Sequence, residues 1–242
     1  MKFIVNGACG RMGHEVIKQL SEDELAARVD AFSEEDGVIR DINEYNGRAD
    51  GIIDFSSHFG SAALCRYASE HKIPLVIAST GHTDEEKHKI EETSQKIPVF
   101  FSYNMSIGIA ALCEMVKMAV SIFPESDIEI VETHHKMKKD APSGTAIMLA
   151  GAALSVRDGK IVCGREGECL RSDNEIGIHS LRLANVVGKH EVIISNGLET
   201  LVLSHEAHSR TLFAQGAVRA AKFIADKPAG LYNMQQLLNG HC

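Results

Sequence analysis

The chain has 242 residues, of which 44% are hydrophobic and 24% charged, so it is long enough for one large domain or two small ones with a buried core. The net charge of −8 argues against nucleic acid or an anionic membrane as a partner. No apolar run approaches the roughly 20 residues that span a bilayer. The N-terminus also lacks the features of a signal peptide, so we expect a cytoplasmic protein.

The cysteines are scattered along the chain and show no pattern typical of a zinc site or a redox motif. They are Cys9, Cys65, Cys113, Cys163, Cys169 and Cys242. We therefore expect reduced thiols without a structural role.

The first hundred residues alternate strand-like and helix-like segments. Strands are predicted at 2–6, 28–32, 51–54, 74–78 and 98–101, and helices at 10–20, 58–71 and 84–96. This alternation is typical of βαβ units that build a parallel sheet.

From Ser106 onward the pattern changes. Helices are predicted at 107–122, 145–156, 209–225 and 231–238, and strands at 127–131, 180–187, 190–195 and 200–205. Successive strands without long helices between them indicate an antiparallel or mixed open sheet. The sequence therefore predicts an α/β fold. Within it, we expect a Rossmann-like dinucleotide-binding domain (1–106 plus 211–242) that carries an inserted α+β domain (107–210) built on a mixed open sheet.

A glycine-rich turn connects the first strand to the first helix. Gly7, Gly10 and Gly13 have the spacing G-x-x-G-x-x-G, which differs from the usual dinucleotide fingerprint G-x-G-x-x-G. Glycines in a tight turn can serve packing alone. The position of this turn at the start of a series of βαβ units nevertheless favours a pyrophosphate site at the helix N-terminus.

A ribose-binding carboxylate is expected about 20 residues beyond this turn, and Glu34 lies there, after Ser33 at the expected end of the second strand. No arginine follows directly to hold a 2′-phosphate, which favours NADH, but Arg11 is an alternative ligand for that phosphate, so NADH and NADPH both stay open. Later strands end at the same carboxyl edge of the sheet and add further candidates. The predicted cofactor-binding residues are Gly7, Ala8, Cys9, Gly10, Arg11, Met12, Ser33, Glu34, Ala78, Ser79, Thr80, Ser102, Tyr103, Asn104 and Met105.

Residues 131–146 combine two adjacent histidines and three lysines with Ser143-Gly144-Thr145 at the start of an apolar helix. Imidazole is a near-neutral acid, lysine is a compact cation, and a helix N-terminus binds anions, so the segment suits an anionic substrate that must be protonated. The alternative is a solvated basic loop. A metal site at His134 and His135 is disfavoured, because adjacent side chains on a strand point to opposite faces.

The run Glu132-Thr-His134-His135-x-x-Lys138-x-Asp140-Ala-Pro-Ser-Gly-Thr145 resembles the signature of the 4-hydroxy-tetrahydrodipicolinate reductase (dihydrodipicolinate reductase) family of lysine and diaminopimelate biosynthesis. Further blocks at 7–13, 53–56, 79–81, 104–108 and 209–217 resemble the same family in the same order. The resemblance covers nearly the whole chain.

The resemblance implies a reductase that uses NADH or NADPH and converts a cyclic, dicarboxylate-bearing hydroxy-tetrahydropyridine to tetrahydrodipicolinate with loss of water. It places the proton donor on His134 and the paired lysine on Lys138. It places the substrate-carboxylate contacts on His135, Lys138, Ser143, Gly144 and Thr145. It also implies a homotetramer assembled through the sheet of the second domain.

Several residues of the loop have simpler explanations. Lys136 and Lys139 are expected to face solvent, Asp140 to shape the turn before the proline, and His135 alternatively to orient His134. Two other functions stay open, namely a dehydrogenase of another small carboxylate, such as an amino acid, and a non-catalytic NAD-binding sensor. Neither explains the spacing of His134 and Lys138 before a Ser-Gly-Thr helix start.

Overall fold

In a computed structural model, residues 1–240 of the chain are described, and the chain divides into two compact units. The first unit contains Met1–Ser106 together with the segment that begins at Arg210, and the second contains Ile107–Ser209. Cys242 lies outside the described residues, and the other five cysteines are unpaired.

The strands, numbered along the whole chain, are β1 (Phe3–Asn6), β2 (Leu25–Val29), β3 (Val38–Ile39), β4 (Gly51–Asp54), β5 (Leu75–Ile77), β6 (Pro98–Phe101), β7 (Asp127–His134), β8 (Lys160–Cys163), β9 (Glu175–Arg182), β10 (Gly188–Ser195), β11 (Thr200–Ala207) and β12 (Gly230–Tyr232). The helices are α1 (Arg11–Lys18), α2 (Ser61–His71), α3 (Asp84–Ser94), α4 (Ile107–Ile122), α5 (Gly144–Leu154), α6 (Thr211–Ile224) and α7 (Met234–Asn239). Short 3₁₀ turns occur at Glu22–Glu24, Ile42–Glu44 and His58–Gly60.

The first unit is built on a seven-stranded parallel sheet in the order β12-β6-β5-β4-β1-β2-β3. Its central strands are continuous apolar runs that are buried on both faces, as in other parallel sheets covered by helices. The predicted Rossmann-like arrangement is confirmed. The strand order reverses between β1 and β4, and in open α/β sheets ligands bind at such a point, outside the carboxyl ends of the strands.

The second unit is built on a five-stranded sheet in the order β11-β10-β7-β9-β8. β7 is antiparallel to β10 and parallel to β9, so the predicted mixed sheet is confirmed. One face of the sheet packs with α4 and α5 around a core that includes Val116, Ile130, Leu149, Ile178 and Val192. None of the helices within residues 1–240 combines the length and the apolar character that crossing a bilayer requires.

The predicted second strand, 28–32, is placed too late along the chain. β2 ends at Val29, and Asp30 then turns the chain by accepting a hydrogen bond from Phe32 N at 3.1 Å. Phe32 is 94% exposed, so it contributes nothing to the buried sheet that the prediction assigned it to. Ser33, expected at the strand end, lies instead in the loop that follows.

Three predicted boundaries in the rest of the chain are also wrong. The strand predicted at 127–131 continues to His134, because β9 pairs with it from Ile128 to His134. The strand predicted at 180–187 is β9, which begins at Glu175, and the residues after it form a turn in which Ala184 has φ +39°. The helix predicted from 231 begins only after Asn233, because residues 230–232 form an edge strand beside β6. The short strands β3 and β8 are not predicted from the sequence.

Candidate active site

The glycine turn of the first unit combines close packing with an uncapped helix start. Gly7 has φ +77°, and a Cβ there would lie 2.8 Å from the backbone of Phe55 and Ser56. A Cβ at Gly13 would overlap Gly7 O. Gly10 precedes α1 without any side-chain cap, so the first N–H groups of the helix are presented to a ligand at its positive end, as a pyrophosphate requires. These residues fit a dinucleotide.

Beside this turn, a buried carboxylate connects the ends of three neighbouring strands. Asp54 is 1% exposed and accepts hydrogen bonds from Asn6 Nδ2 (2.7 Å), Ser56 N (3.1 Å) and Ser79 Oγ (2.9 Å). Ser79, a predicted cofactor residue, thus uses its hydroxyl within the protein. Asp54 was not predicted as a functional residue, although a carboxylate at the end of an apolar strand indicates that it needs donors nearby.

The strand end after β6 is shaped by its own side chains. Ser102 Oγ donates to Asn104 O at 2.7 Å, and Asn104 Oδ1 accepts from Ser106 N at 2.8 Å. Among the remaining predicted cofactor residues, Ala8, Ala78 and Met105 are buried, Cys9 and Met12 are half-buried, and Gly10, Arg11, Glu34, Thr80 and Tyr103 are exposed.

The loop after β2 brings together the residues expected near the ribose. Cys9 N donates to Asp30 Oδ2 at 3.0 Å, and the Cys9 thiol donates to Ser33 Oγ at 3.1 Å. Arg40 Nε donates to Ser33 O at 2.7 Å, and an Arg40 Nη lies 3.4 Å from the Glu34 carboxylate. Ser33, Glu34 and Arg40 line one pocket. Arg40 was missed, because its approach depends on β3 folding back beside β2.

In the second unit, the alternation of β7 turns every second side chain inward. Ile128, Ile130, Glu132 and His134 are buried in this way, at 0%, 0%, 0% and 8% exposure. Two of these four positions carry ionisable groups. A carboxylate and an imidazole on the buried face of a strand require partners inside the protein.

Glu132 receives several donors. Arg182 Nη1 and Nη2 each lie 3.0 Å from one of its carboxylate oxygens, and Ser143 N donates to Oε1 at 3.2 Å. Burial raises the pKa of the Glu132 carboxyl, but hydrogen bonds from Arg182, Ser180 and His134 outweigh it and hold the pKa at about 2. Glu132 is therefore ionised at neutral pH, and its two oxygens only accept hydrogen bonds from their neighbours.

His134 Nδ1 is hydrogen-bonded to this carboxylate. Because Glu132 is ionised, Nδ1 carries the proton and Nε2 is the ring nitrogen left for exchange. Burial lowers the pKa of His134, and the neighbouring Glu132 opposes that shift. A Cβ on Gly188 would lie 3.1 Å from His134 Nε2, so glycine leaves room beside that atom.

A second buried imidazole packs against His134. The ring of His190 lies 5.1 Å from that of His134, centroid to centroid, and its Nε2 is 3.1 Å from Ser143 Oγ. Burial, together with positive charge on His134, lowers the pKa of His190 to about 3. His190 is therefore neutral. Glu132, Arg182 and His190 are not predicted from the sequence as functional residues, because they lie on three different strands and meet only in the folded sheet.

The residues of the loop after β7 differ in their exposure to solvent. Lys136 and Lys139 are exposed, whereas Lys138 is half-buried and its Nζ lies 2.9 Å from Asp140 Oδ2. Partial burial raises the pKa of the Asp140 carboxyl, but Lys138 lowers it below its ordinary value. His135 is half-buried. The Ala141–Pro142 peptide bond that follows is cis.

Helix α5 begins at the end of this loop. Ser143 is its N-cap, and Ser143 Oγ accepts from Ala146 N at 3.2 Å. The Ser143 N–H donates to Glu132, because the buried carboxylate needs donors. Gly144 is exposed and a Cβ there would meet no atom within 4 Å; Thr145 is half-buried. Within residues 1–240, no three His, Cys, Asp or Glu side chains are grouped to hold a metal ion.

Two family profiles match the chain. Residues 1–105 match "Dihydrodipicolinate reductase, N-terminus" and residues 108–238 match "Dihydrodipicolinate reductase, C-terminus". A 4-hydroxy-tetrahydrodipicolinate reductase from Caldanaerobacter subterraneus subsp. tengcongensis is 44% identical, with 98% of each chain covered. One from Clostridium tetani is 40% identical, with 97% of this chain and 94% of the relative covered.

Solved structures share the fold. A dipicolinate-bound dihydrodipicolinate reductase from Paenisporosarcina sp. TG-14 superposes with a TM-score of 0.79 at 22% identity, over 96% of this chain and 97% of the other. An aspartate dehydrogenase from Thermotoga maritima superposes with a TM-score of 0.55 at 12% identity, over 94% and 98%. The fold is thus common to several dehydrogenases. The family profiles and the relatives at 40–44% identity are more specific than the fold, and by them the chain belongs to the 4-hydroxy-tetrahydrodipicolinate reductase family, NAD(P)H-dependent oxidoreductases of lysine and diaminopimelate biosynthesis.

Proposed function

We propose that this chain reduces 4-hydroxy-tetrahydrodipicolinate to tetrahydrodipicolinate with loss of water, with His134 as the proton donor and Lys138 as its partner. The observation that carries the proposal is the buried pair formed by His134 and the ionised Glu132. When bound, NADH or NADPH supplies the hydride. The ring loses its hydroxyl group and one proton from an adjacent carbon as water, and it gains the hydride and one proton.

The proton comes from Nε2 of the protonated His134 ring. Glu132 stabilises the imidazolium while it exists and keeps the remaining proton on Nδ1 after the transfer. Burial lowers the pKa of His134, so its imidazolium is a stronger acid and gives its proton more readily to a bound substrate. Lys138 lies on the same loop and supplies a second N–H donor, which assists the departing hydroxyl.

The two carboxylates of the substrate are held by different groups. Lys138 and His135 bind one, since both are half-buried on the loop that follows β7. The second binds at the start of α5, where Gly144 N–H and the backbone and hydroxyl of Thr145 lie at the positive end of the helix. Ser143 keeps this turn in place through its contacts with Glu132 and Ala146.

Both cofactors are accepted at the pocket after β2. Glu34 accepts hydrogen bonds from the ribose hydroxyls of NADH, as an acidic residue does at this position in dinucleotide-binding folds. Arg40 lies beside Glu34 and would hold the 2′-phosphate of NADPH. A carboxylate and a guanidinium in one pocket favour use of either cofactor over strict selection.

The chain assembles as a homotetramer through the outer face of the second sheet. Val131, Ile193 and Val202 lie on the face opposite α4 and α5, and Val202 is 52% exposed. Sedimentation velocity tests the assembly. Wild-type protein is expected at the mass of four chains, and Val202→Asp at a smaller one, whereas Leu198→Asp, in the exposed β10–β11 turn, leaves the mass unchanged. A monomeric wild type contradicts the assembly.

Oxidation of NADH and of NADPH by the purified enzyme, with substrate generated by the preceding synthase, tests the reaction. We expect both cofactors to be oxidised faster than in the enzyme-free mixture. A rate equal to the enzyme-free rate with both cofactors contradicts the proposed function.

A further inference from the structure

We propose that Arg182 is a positioning residue that fixes His134 and Lys138 relative to each other, through Glu132 on one side and Asp140 on the other. Arg182 ends β9, directly opposite His134 in the parallel pairing of β7 and β9. The inference rests on the proposed function, because it concerns the geometry of the two side chains placed there in proton transfer.

The first half of the connection runs to the histidine. Arg182 donates through two nitrogens to the two oxygens of Glu132, at 3.0 Å each, and Glu132 in turn holds His134 Nδ1. Glu132 is fully buried, so its rotamer and its charge depend on these donors. Removal of the guanidinium frees the carboxylate to rotate or to take up a proton, and the Nδ1–H form of His134 then loses its acceptor.

The second half runs to the lysine. Arg182 Nη2 also donates to Asp140 O at 2.6 Å, and the Asp140 carboxylate lies 2.9 Å from Lys138 Nζ. The backbone adds to this contact, because Leu183 N donates to His134 O at 2.7 Å. The loop that carries Lys138 is thus tied to the end of β9 at its beginning and near its end.

The fork of the guanidinium explains why arginine occupies this position. Its Nη atoms reach a carboxylate in parallel and still have N–H groups for the carbonyls of Leu181 and Asp140. A lysine at this position has one nitrogen, which cannot span both partners. The partners of Arg182 are thus Glu132 and Asp140, and through them it acts on His134 and Lys138.

The test compares Arg182→Met and Arg182→Lys with Arg171→Met. Arg171 is a matched control, since its guanidinium binds Asp127 and Glu129 at the other end of the same strand β7. We expect Arg182→Met to lower kcat about 100-fold, the effect of misplacing reacting groups by about 1 Å. Arg182→Lys should recover part of this loss, and Arg171→Met should leave kcat within the error of the assay.

The imidazole nitrogen resonances of His134, assigned by comparison with His134→Ala, report which ring nitrogen carries the proton. A general loss of stability would not change this tautomer. Wild type and Arg171→Met are expected to show His134 protonated at Nδ1 in its neutral form, and Arg182→Lys a mixture of both tautomers. If Arg182→Met does not fold, Arg182→Lys decides alone. Unchanged kcat, or lowered kcat with an unchanged tautomer, overturns the positioning role. A wild type without reductase activity contradicts the proposed function, and the tautomer comparison still decides the role of Arg182.

Discussion

The glycine turn at 7–13 and the histidine site at 131–146 are built from different materials. The turn relies on the backbone: glycines permit close packing, and an uncapped helix start presents N–H groups. The histidine site relies on buried side chains, with Glu132 accepting from Arg182 across 50 residues of sequence. A site made of backbone depends on local spacing, whereas a site made of buried charges depends on partners that the fold brings from a distance.

The largest expected effect belongs to the histidine site. His134→Ala should lower kcat about 100- to 10,000-fold with a small change in KM, because a general acid acts mainly in the transition state. Steady-state kinetics with the authentic substrate measure this, and Lys136→Ala serves as a control from the exposed part of the loop. Full turnover by His134→Ala would refute the proton-donor role.

Lys138 should affect both kinetic parameters. Lys138→Ala removes a cation that both assists the departing hydroxyl and binds a carboxylate, so we expect about a 100-fold loss in kcat/KM with a raised KM. Lys139→Ala, an exposed neighbour, is the matched control and should behave like wild type. An unchanged KM in Lys138→Ala counts against its carboxylate contact.

A substitution in the glycine turn should change the free energy of unfolding. Gly13→Ala places a Cβ onto Gly7 O and is expected to lower the free energy of unfolding by about 1–3 kcal/mol, the usual cost of overpacking. Gly151→Ala is also a helical substitution, but it meets open space and should stabilise by about 0.5–1 kcal/mol. Urea unfolding of both variants gives the comparison, and equal stabilities would show that the close approach at Gly13 carries no cost.

The buried His190 should make stability depend on pH. Its pKa is about 3 in the folded protein against an ordinary 6.5, so below pH 6.5 only the unfolded chain takes up the proton. Stability is therefore full above pH 6.5 and falls as the pH decreases, by about 2 kcal/mol between about pH 6.5 and about pH 5 for this group. In urea unfolding, the stability of His190→Gln should fall correspondingly less as the pH decreases. The stability of exposed His88→Gln should fall as it does in wild type. Equal pH dependence in wild type and His190→Gln would contradict the burial argument.

The smallest effect concerns cofactor preference. Arg40→Ala should raise the KM for NADPH about tenfold relative to that for NADH, because one charge-assisted contact to the 2′-phosphate is worth about 1.5 kcal/mol. Arg48→Ala, an exposed arginine in the same unit, is the control. A constant ratio of the two KM values would remove Arg40 from the phosphate site.

Much of the fold follows from periodicity in the sequence, and α4 was predicted at its observed bounds because its apolar pattern is long. β2 and β12 were misplaced or missed, since short strands are defined by their partners in the sheet and have little pattern of their own. In the site, the adjacent histidines and lysines were predictable as groups that bind and protonate an anionic substrate. Arg182 and His190 were not, because nothing local to either residue indicates that it meets His134.

The location of the substrate site is tested most directly by a titration with dipicolinate, a planar ring dicarboxylate. The enzyme carries isotope-labelled histidine so that its imidazole resonances can be followed. The imidazole resonances of His134 should shift in proportion to bound ligand, and those of exposed His88 should stay in place. A substrate site at His134 should saturate at one ligand per chain, and the response should be lost in Lys138→Ala at the same ligand concentration. Shifts confined to histidines of the first unit, such as His58 and His82, with His134 unchanged at saturation, would contradict it.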